Sequence, residues 1–170
     1  GGKPDTTDAA AASGKPVKRK TAADHPAGPA LCVDAACDTV AWVMEYRGVW
    51  LGGDDGGREA FAHGPFEDAN GNLGEFLALV DGWRTLAQRE LLDAVPLYCD
   101  SVTAMAWVRK RRINSVFYDP TRLDGGRAGE AVKTRVDDAL AWLGTDPPKA
   151  DIRKWDTPRW GEIPADYGRK

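Results

Sequence analysis

Four carboxylates carry the chemistry in this sequence, and each sits in an unusual setting. Asp34 interrupts the apolar run Leu31-Cys32-Val33-Asp34-Ala35-Ala36-Cys37. Glu75 lies in Asn72-Leu73-Gly74-Glu75-Phe76-Leu77-Ala78-Leu79, Asp100 in Pro96-Leu97-Tyr98-Cys99-Asp100-Ser101, and Asp166 in Gly161-Glu162-Ile163-Pro164-Ala165-Asp166-Tyr167. Burying a carboxylate among apolar residues is unfavourable unless a donor or a cation meets it. Like charges repel when gathered, and hard divalent cations prefer oxygen ligands. The expectation is that the four acids meet and hold divalent metal. Cysteine chemistry is a poor alternative, since Cys32, Cys37 and Cys99 are an odd number with no CxxC pair. His25 and His63 are poorly placed, one in the leading segment and one before a turn.

The elements that must position these acids follow from periodicity. Residues 31–37 read as a buried strand. Met44 to Leu51 alternates as a second strand, the glycine-rich stretch from Gly52 to Gly57 is a turn, and Arg58 to His63 returns as a third strand that Gly64-Pro65 ends. Asn70 can cap a helix over about 73–91, with Glu75 in its first turn. Val95 to Cys99 is a short strand. Ser101 N-caps a second helix through about 111, with Val102, Met105 and Ala106 facing inward. A third helix spans about 127–143, with Gly144 as its C-terminal cap before Pro147-Pro148. Asp151 to Trp155 is a last strand, and a short helix or turn over 159–170 carries Asp166. The order β-β-β-α-β-α-α-β-α predicts an α/β fold: a mixed five-stranded sheet, an antiparallel meander plus parallel strands, flanked by helices. Strands one and four should be central neighbours, because both are apolar with an Asp near the end.

Composition narrows the class. The 170 residues are 42% hydrophobic with seven Trp, which suits one aromatic-rich domain over 29–170. Residues 1–28 have no apolar period and read as a flexible tail or linker, with a basic cluster at Lys15, Lys18, Arg19 and Lys20. A net charge of −3 points to neither nucleic acid nor membrane on average. No apolar stretch is long enough to span a bilayer. Unpaired cysteines fit a reducing compartment, so the expectation is a cytoplasmic protein, a monomer, with no membrane partner.

Taken together, Val33-Asp34-Ala35-Ala36-Cys37, Met44-Glu45-Tyr46-Arg47-Gly48-Val49, Asn72-Leu73-Gly74-Glu75-Phe76-Leu77-Ala78, Tyr98-Cys99-Asp100-Ser101 and Trp160-Gly161-Glu162-Ile163-Pro164-Ala165-Asp166-Tyr167-Gly168-Arg169-Lys170 resemble ribonuclease H of type 1. The resemblance is to the bacterial branch that often carries a viroplasmin-like hybrid-binding module upstream, and it covers about 30–170. It implies a ribonuclease-H-like fold, two Mg²⁺ (Mn²⁺ as an alternative), and hydrolysis of the RNA strand of an RNA–DNA hybrid. In it Asp34 would bridge both metals, Glu75 and Asp100 would complete the leaving-group site, and Asp166 would hold the nucleophile-side metal. Each acid also has an ordinary reading: a strand-end Asp bonded to backbone, a carboxylate at a helix N-terminus, a helix cap, and a surface residue.

Substrate contacts implied by the resemblance are main-chain groups at Ala36 and Cys37, Asn70 and Asn72 on 2′-hydroxyls, and Ser101. Trp107, Arg109 and Lys110, with Arg111 and Arg112 beyond, would lean on the DNA strand. The sequence also departs from the family pattern. Asp38-Thr39-Val40-Ala41-Trp42 replaces a glycine and Asn-Pro-Gly loop, Gly71 stands where Asn is often found, and no His lies between strand five and Asp166. Asp156, or less favourably Glu162, is expected to take that His role in turnover. Two other readings stay open on the same fold: a non-catalytic hybrid- or duplex-binding module, and a nuclease acting on double-stranded RNA or DNA junctions.

Overall fold

The structure is a computed structural model that describes residues 23–169. The basic cluster at Lys15 to Lys20 and most of the expected tail lie outside the described residues. The chain falls into two compact units. The larger is Ala27–Trp155 with the segment that begins at Ile163, and the smaller is Asp156–Glu162 with the segment that ends at Pro26.

The larger unit is built on a five-stranded sheet. Its strands are β1 (Ala30–Asp38), β2 (Val43–Leu51), β3 (Glu59–Phe66), β4 (Leu97–Cys99) and β5 (Ile152–Lys154), in the order β3-β2-β1-β4-β5. β1 pairs antiparallel with β2 and β2 with β3, whereas β1–β4 and β4–β5 are parallel. This is the mixed sheet expected above, with β1 and β4 as neighbours. β1 is buried from Ala30 to Ala35, which explains its nearly continuous apolar run: a central strand is covered on both faces.

β3 runs past the point where the sequence appeared to end it. Met44 faces Phe66 while Tyr46 faces His63, so β3 has one extra residue there. Gly64, with φ +116°, and Pro65 occupy that bulge. Pro is tolerated because β3 is an edge strand, and the left-handed backbone suits Gly.

Helix α1 (Gly71–Gln88) packs on β1, β2 and β4, and helices α2 (Val102–Lys110) and α3 (Glu130–Gly144) pack on α1. α1 begins two residues earlier than expected because Asn70 caps it, its Oδ1 accepting from the Leu73 N–H at 3.0 Å. Glu75 is therefore in the second turn, not the first. α2 is capped by Ser101 as expected, but its buried residues are Ala104, Trp107 and Val108, and Val102 is 67% exposed. The inward face expected at Val102, Met105 and Ala106 lies two positions further along, at Ala104, Trp107 and Val108. In α3, Val132, Val136, Ala139 and Leu143 form the expected apolar stripe. Gly144 is its last helical residue rather than its cap; the cap is Thr145, and Asp146 takes the left-handed turn at φ +56°.

In the smaller unit, helix α4 (Thr157–Trp160) starts at Asp156, which caps it by accepting from the Arg159 N–H at 3.3 Å. Asp24 accepts from Arg159 Nη2 at 3.0 Å and from Trp160 Nε1 at 3.3 Å.

Candidate metal centre

Three of the four expected acids meet. Asp34, Glu75 and Asp100 each present an oxygen such that all three lie within 4.8 Å of one another. The sheet explains why. In the parallel β1–β4 pair, Leu31 is level with Leu97 and Cys32 with Tyr98. Extending that register puts Asp100, the residue just past β4, level with Asp34 in the middle of β1. Asp34 is the one charged side chain fully buried among the described residues.

Glu75 reaches the strand because its helix comes unusually close. A Cβ built on Gly74 would lie 2.8 Å from the Ala35 Cβ and from Met44 Cγ and Sδ, and one on Gly82 would lie 2.8 Å from Leu97 Cδ1 and 3.0 Å from Val33 Cγ1. The two glycines are eight residues apart and so share one helical face. Each is unfavourable in a helix interior by roughly 1 kcal/mol relative to Ala, and close helix–sheet packing accounts for both. With that approach, Glu75 Oε2 accepts from the Ala35 N–H at 3.3 Å. Sequence reasoning missed this device, though its signal, two interior glycines at helical spacing, was present.

The electrostatics are those of a site that wants a cation. Burial first, then the neighbouring Asp34 and Asp100 carboxylates, push the Glu75 carboxyl well above the ordinary carboxylate range; the Ala35 N–H pulls the other way. Glu75 Oε1 is buried with no hydrogen-bond partner. Hard oxygen donors, an orphaned buried oxygen and close like charges fit a divalent cation with oxygen preference.

Asp166 is outside that 4.8 Å group. It follows a tight turn, its N–H donating to the Ile163 carbonyl at 2.9 Å, and its Oδ2 accepts from the Gly168 N–H at 2.9 Å. Its own carbonyl accepts from Arg47 Nη2 at 2.7 Å. Arg47 faces Asp34 directly across the β1–β2 ladder, so the Asp166 segment is fastened to the strand position opposite Asp34.

The remaining expected residues divide. Ala36 and Cys37 are half-buried at the carboxyl end of β1, and with Asp38, Glu45, Tyr167 and Arg169 they line a groove of about 740 Å³. Asn72 is exposed in the first turn of α1. Asn70 and Ser101 cap α1 and α2, with Ser101 Oγ accepting from the Ala104 N–H at 3.0 Å. Arg109 and Lys110 are exposed in the last turn of α2. Trp107 corrects an expectation: it is 8% exposed and packs edge-on against Phe76, so it is core and offers no face to a duplex. Asp156 caps α4, and both it and Glu162 belong to the smaller unit. No helix among the described residues is long and apolar enough to cross a membrane.

No protein-family model matches the chain. Among solved structures, the chain is similar to the RNase H1 of the halophilic archaeon Halobacterium salinarum NRC-1, at 18% identity and a TM-score of 0.43 over 76% of this chain and 89% of that one. It is also similar to LC11-RNase H1, isolated from compost by a metagenomic approach, at 10% identity and a TM-score of 0.47 over 77% of this chain and 87% of that one.

Proposed function

We propose that this chain is a metal-dependent endonuclease of the ribonuclease H type 1 class that hydrolyses the RNA strand of RNA–DNA hybrids. The observation that carries the reading is the convergence of Asp34 from the middle of β1, Glu75 from α1 and Asp100 just past β4 within 4.8 Å of one another. The family resemblance of the sequence then supplies the reaction class.

Asp34, Glu75 and Asp100, joined by Asp166, are the residues that would hold two Mg²⁺, or Mn²⁺. Such ions, when bound, lower the pKa of the attacking water and stabilise both the attacking and the leaving oxygen of a phosphodiester. The protein's own part is positional. β1 holds Asp34 in mid-strand, and β4 delivers Asp100 at its carboxyl end. α1, brought close by Gly74, delivers Glu75. Burial of Asp34 strengthens its attraction for a cation. Main-chain groups at Ala36 and Cys37, with Asn72 beside Asn70, are proposed to read 2′-hydroxyls across a minor groove. Arg109 and Lys110 are proposed to meet DNA-strand phosphates. Asp156 or Glu162 is proposed to assist turnover.

The test is cleavage of an RNA-labelled hybrid in Mg²⁺, alongside double-stranded RNA, DNA junctions and single strands. Cleavage confined to the RNA strand of the hybrid, and lost on chelation, is expected. Hybrid binding without cleavage in both Mg²⁺ and Mn²⁺ would instead identify a duplex-binding module. Preferential cutting of double-stranded RNA or junctions would reassign the substrate.

A further inference from the structure

Arg47 holds the segment that carries Asp166. It projects from β2 on the same face as Asp34, since directly opposed residues of an antiparallel pair point the same way. Its guanidinium makes three donations. Nε donates to the Ala165 carbonyl at 2.9 Å, Nη2 to the Asp166 carbonyl at 2.7 Å, and Nη1 to Glu59 Oε2 at 3.1 Å. Its Cζ also lies 4.6 Å from the centre of the Tyr167 ring. Three successive residues, Ala165, Asp166 and Tyr167, are thus held by one side chain.

The local chain is shaped to allow this. Successive carbonyls of an extended strand point to opposite sides, so one fork cannot ordinarily take two of them. Here the turn closed by the Asp166 N–H on the Ile163 carbonyl brings both to the same side. Ile163 and Ala165 are buried at 1% and 0% exposure, which anchors the turn on either side of Pro164. The Arg47 side chain is only 23% exposed. A planar guanidinium offers two parallel donors, and a lysine ammonium does not.

We propose that Arg47 is a positioning residue for the metal centre: its two-carbonyl fork sets the place of Asp166 relative to Asp34 and thereby completes the carboxylate set. The proposal rests on the nuclease reading for its consequence, but the latch itself is a property of the chain without substrate or metal. It also accounts for a polar contrast along β2, where a charged residue stands between the buried Tyr46 and Gly48. Neither of those neighbours could reach the turn.

The experiment uses the full chain and three variants, Arg47→Met, Arg47→Lys and Glu59→Gln. The first reading is amide hydrogen exchange without metal or substrate. The Asp166 and Gly168 amides, which close the turn and bond the Asp166 carboxylate, are expected to exchange about tenfold faster or more in both Arg47 variants, while α1 and β1 amides keep their protection. Glu59→Gln should leave both unchanged. The second reading is hybrid cleavage in Mg²⁺, where kcat should fall about tenfold or more with KM within about twofold, because Ala36, Asn72 and the α2 cations are untouched. Unchanged Asp166 exchange in Arg47→Met would overturn the latch. So would wild-type exchange in Arg47→Lys, which would show that charge suffices without the fork, or a rise in KM with kcat intact, which would make Arg47 a substrate contact. Protection lost across the whole sheet would reduce Arg47 to a fold residue and overturn it as well. If the unaltered chain cleaves no hybrid, the nuclease reading fails, and the exchange result still decides the latch.

Discussion

Helix α1 carries two half-buried acids six residues apart, and their surroundings are opposite. Asp81 is met by partners that favour its charge: the Tyr46 hydroxyl donates to its Oδ2 at 3.1 Å, His63 Nε2 lies 3.7 Å away, and Arg135 donates to the same Tyr46 hydroxyl at 2.9 Å. Burial raises the Asp81 pKa, and Tyr46, His63, Arg135 and Arg84 oppose that rise. Glu75 instead gains two more carboxylates, which add to the effect of burial. The first arrangement is a brace in which Tyr46, His63 and Arg135 tie β2, β3, α1 and α3 together around the acid. The second sets three carboxylate oxygens within 4.8 Å of one another, an arrangement a divalent cation would relieve. One helix therefore carries an acid held by a hydroxyl and cationic groups and an acid crowded by carboxylates, and the partners make the distinction, not burial.

The largest effect should come from exchanging charge for neutrality at each place. Asp34→Asn or Asp100→Asn is expected to lower hybrid cleavage by about 10³-fold or more, with the metal-free protein as stable as before or more so. Asp81→Asn should do the reverse, costing roughly 1–3 kcal/mol of stability by removing the carboxylate that meets the Tyr46 hydroxyl and His63, with cleavage retained. Urea unfolding beside a cleavage assay checks both; a stability loss at Asp34→Asn as large as that at Asp81→Asn would erase the contrast.

A second effect separates the two acids by pH. The Glu75 pKa is raised above its ordinary value of 4.5, so the folded protein retains a proton that the unfolded chain releases. That stabilisation is full below 4.5 and is lost as pH rises. Metal-free protein should thus lose stability between roughly pH 5 and 8, by at most about 1.4 kcal/mol per pH unit from this group. Saturating Mg²⁺ should reverse the trend, because binding favours the deprotonated acids. Unfolding midpoints across pH, in chelator and in Mg²⁺, would show the crossing; parallel curves would contradict it.

Smaller effects probe the supports. Gly74→Ala places a Cβ 2.8 Å from the Ala35 Cβ. Overpacking of about 1–3 kcal/mol should outweigh a helix-propensity gain of up to about 1 kcal/mol, leaving a net loss near 1 kcal/mol and weaker Mg²⁺ binding by calorimetry. Arg109→Ala with Lys110→Ala should raise KM and reduce the salt slope of hybrid binding by about 2 at most, with kcat preserved.

How much of this was readable beforehand follows from how local each signal is. Asp34 stood out because a charge inside a buried strand has few explanations, and β1 and β4 could be paired because each is an apolar run ending in Asp. The meander and the first eight elements were legible from period and turn residues, whereas the last helix is Thr157–Trp160 and Asp166 lies in a separate turn beyond it, not in one element over 159–170. The α2 face was not: in nine residues, Val102 at the first helical position mimics a core residue although it is 67% exposed. Trp107 looked like part of a basic, aromatic surface, and its burial against Phe76 depends on where α1 lies. The bulge at Gly64-Pro65 reads as a strand end unless the register with β2 is known. Arg47 carried no local mark at all, since its role needs a turn 118 residues away.

The central claim is that these carboxylates bind divalent cations, and Mn²⁺ anomalous diffraction from crystals of the full chain tests it most directly. The account predicts two peaks roughly 3.5–4 Å apart among Asp34, Glu75, Asp100 and Asp166, both lost in Asp34→Asn. An absence of any peak at saturating Mn²⁺, or peaks only at exposed surface acids, would contradict it.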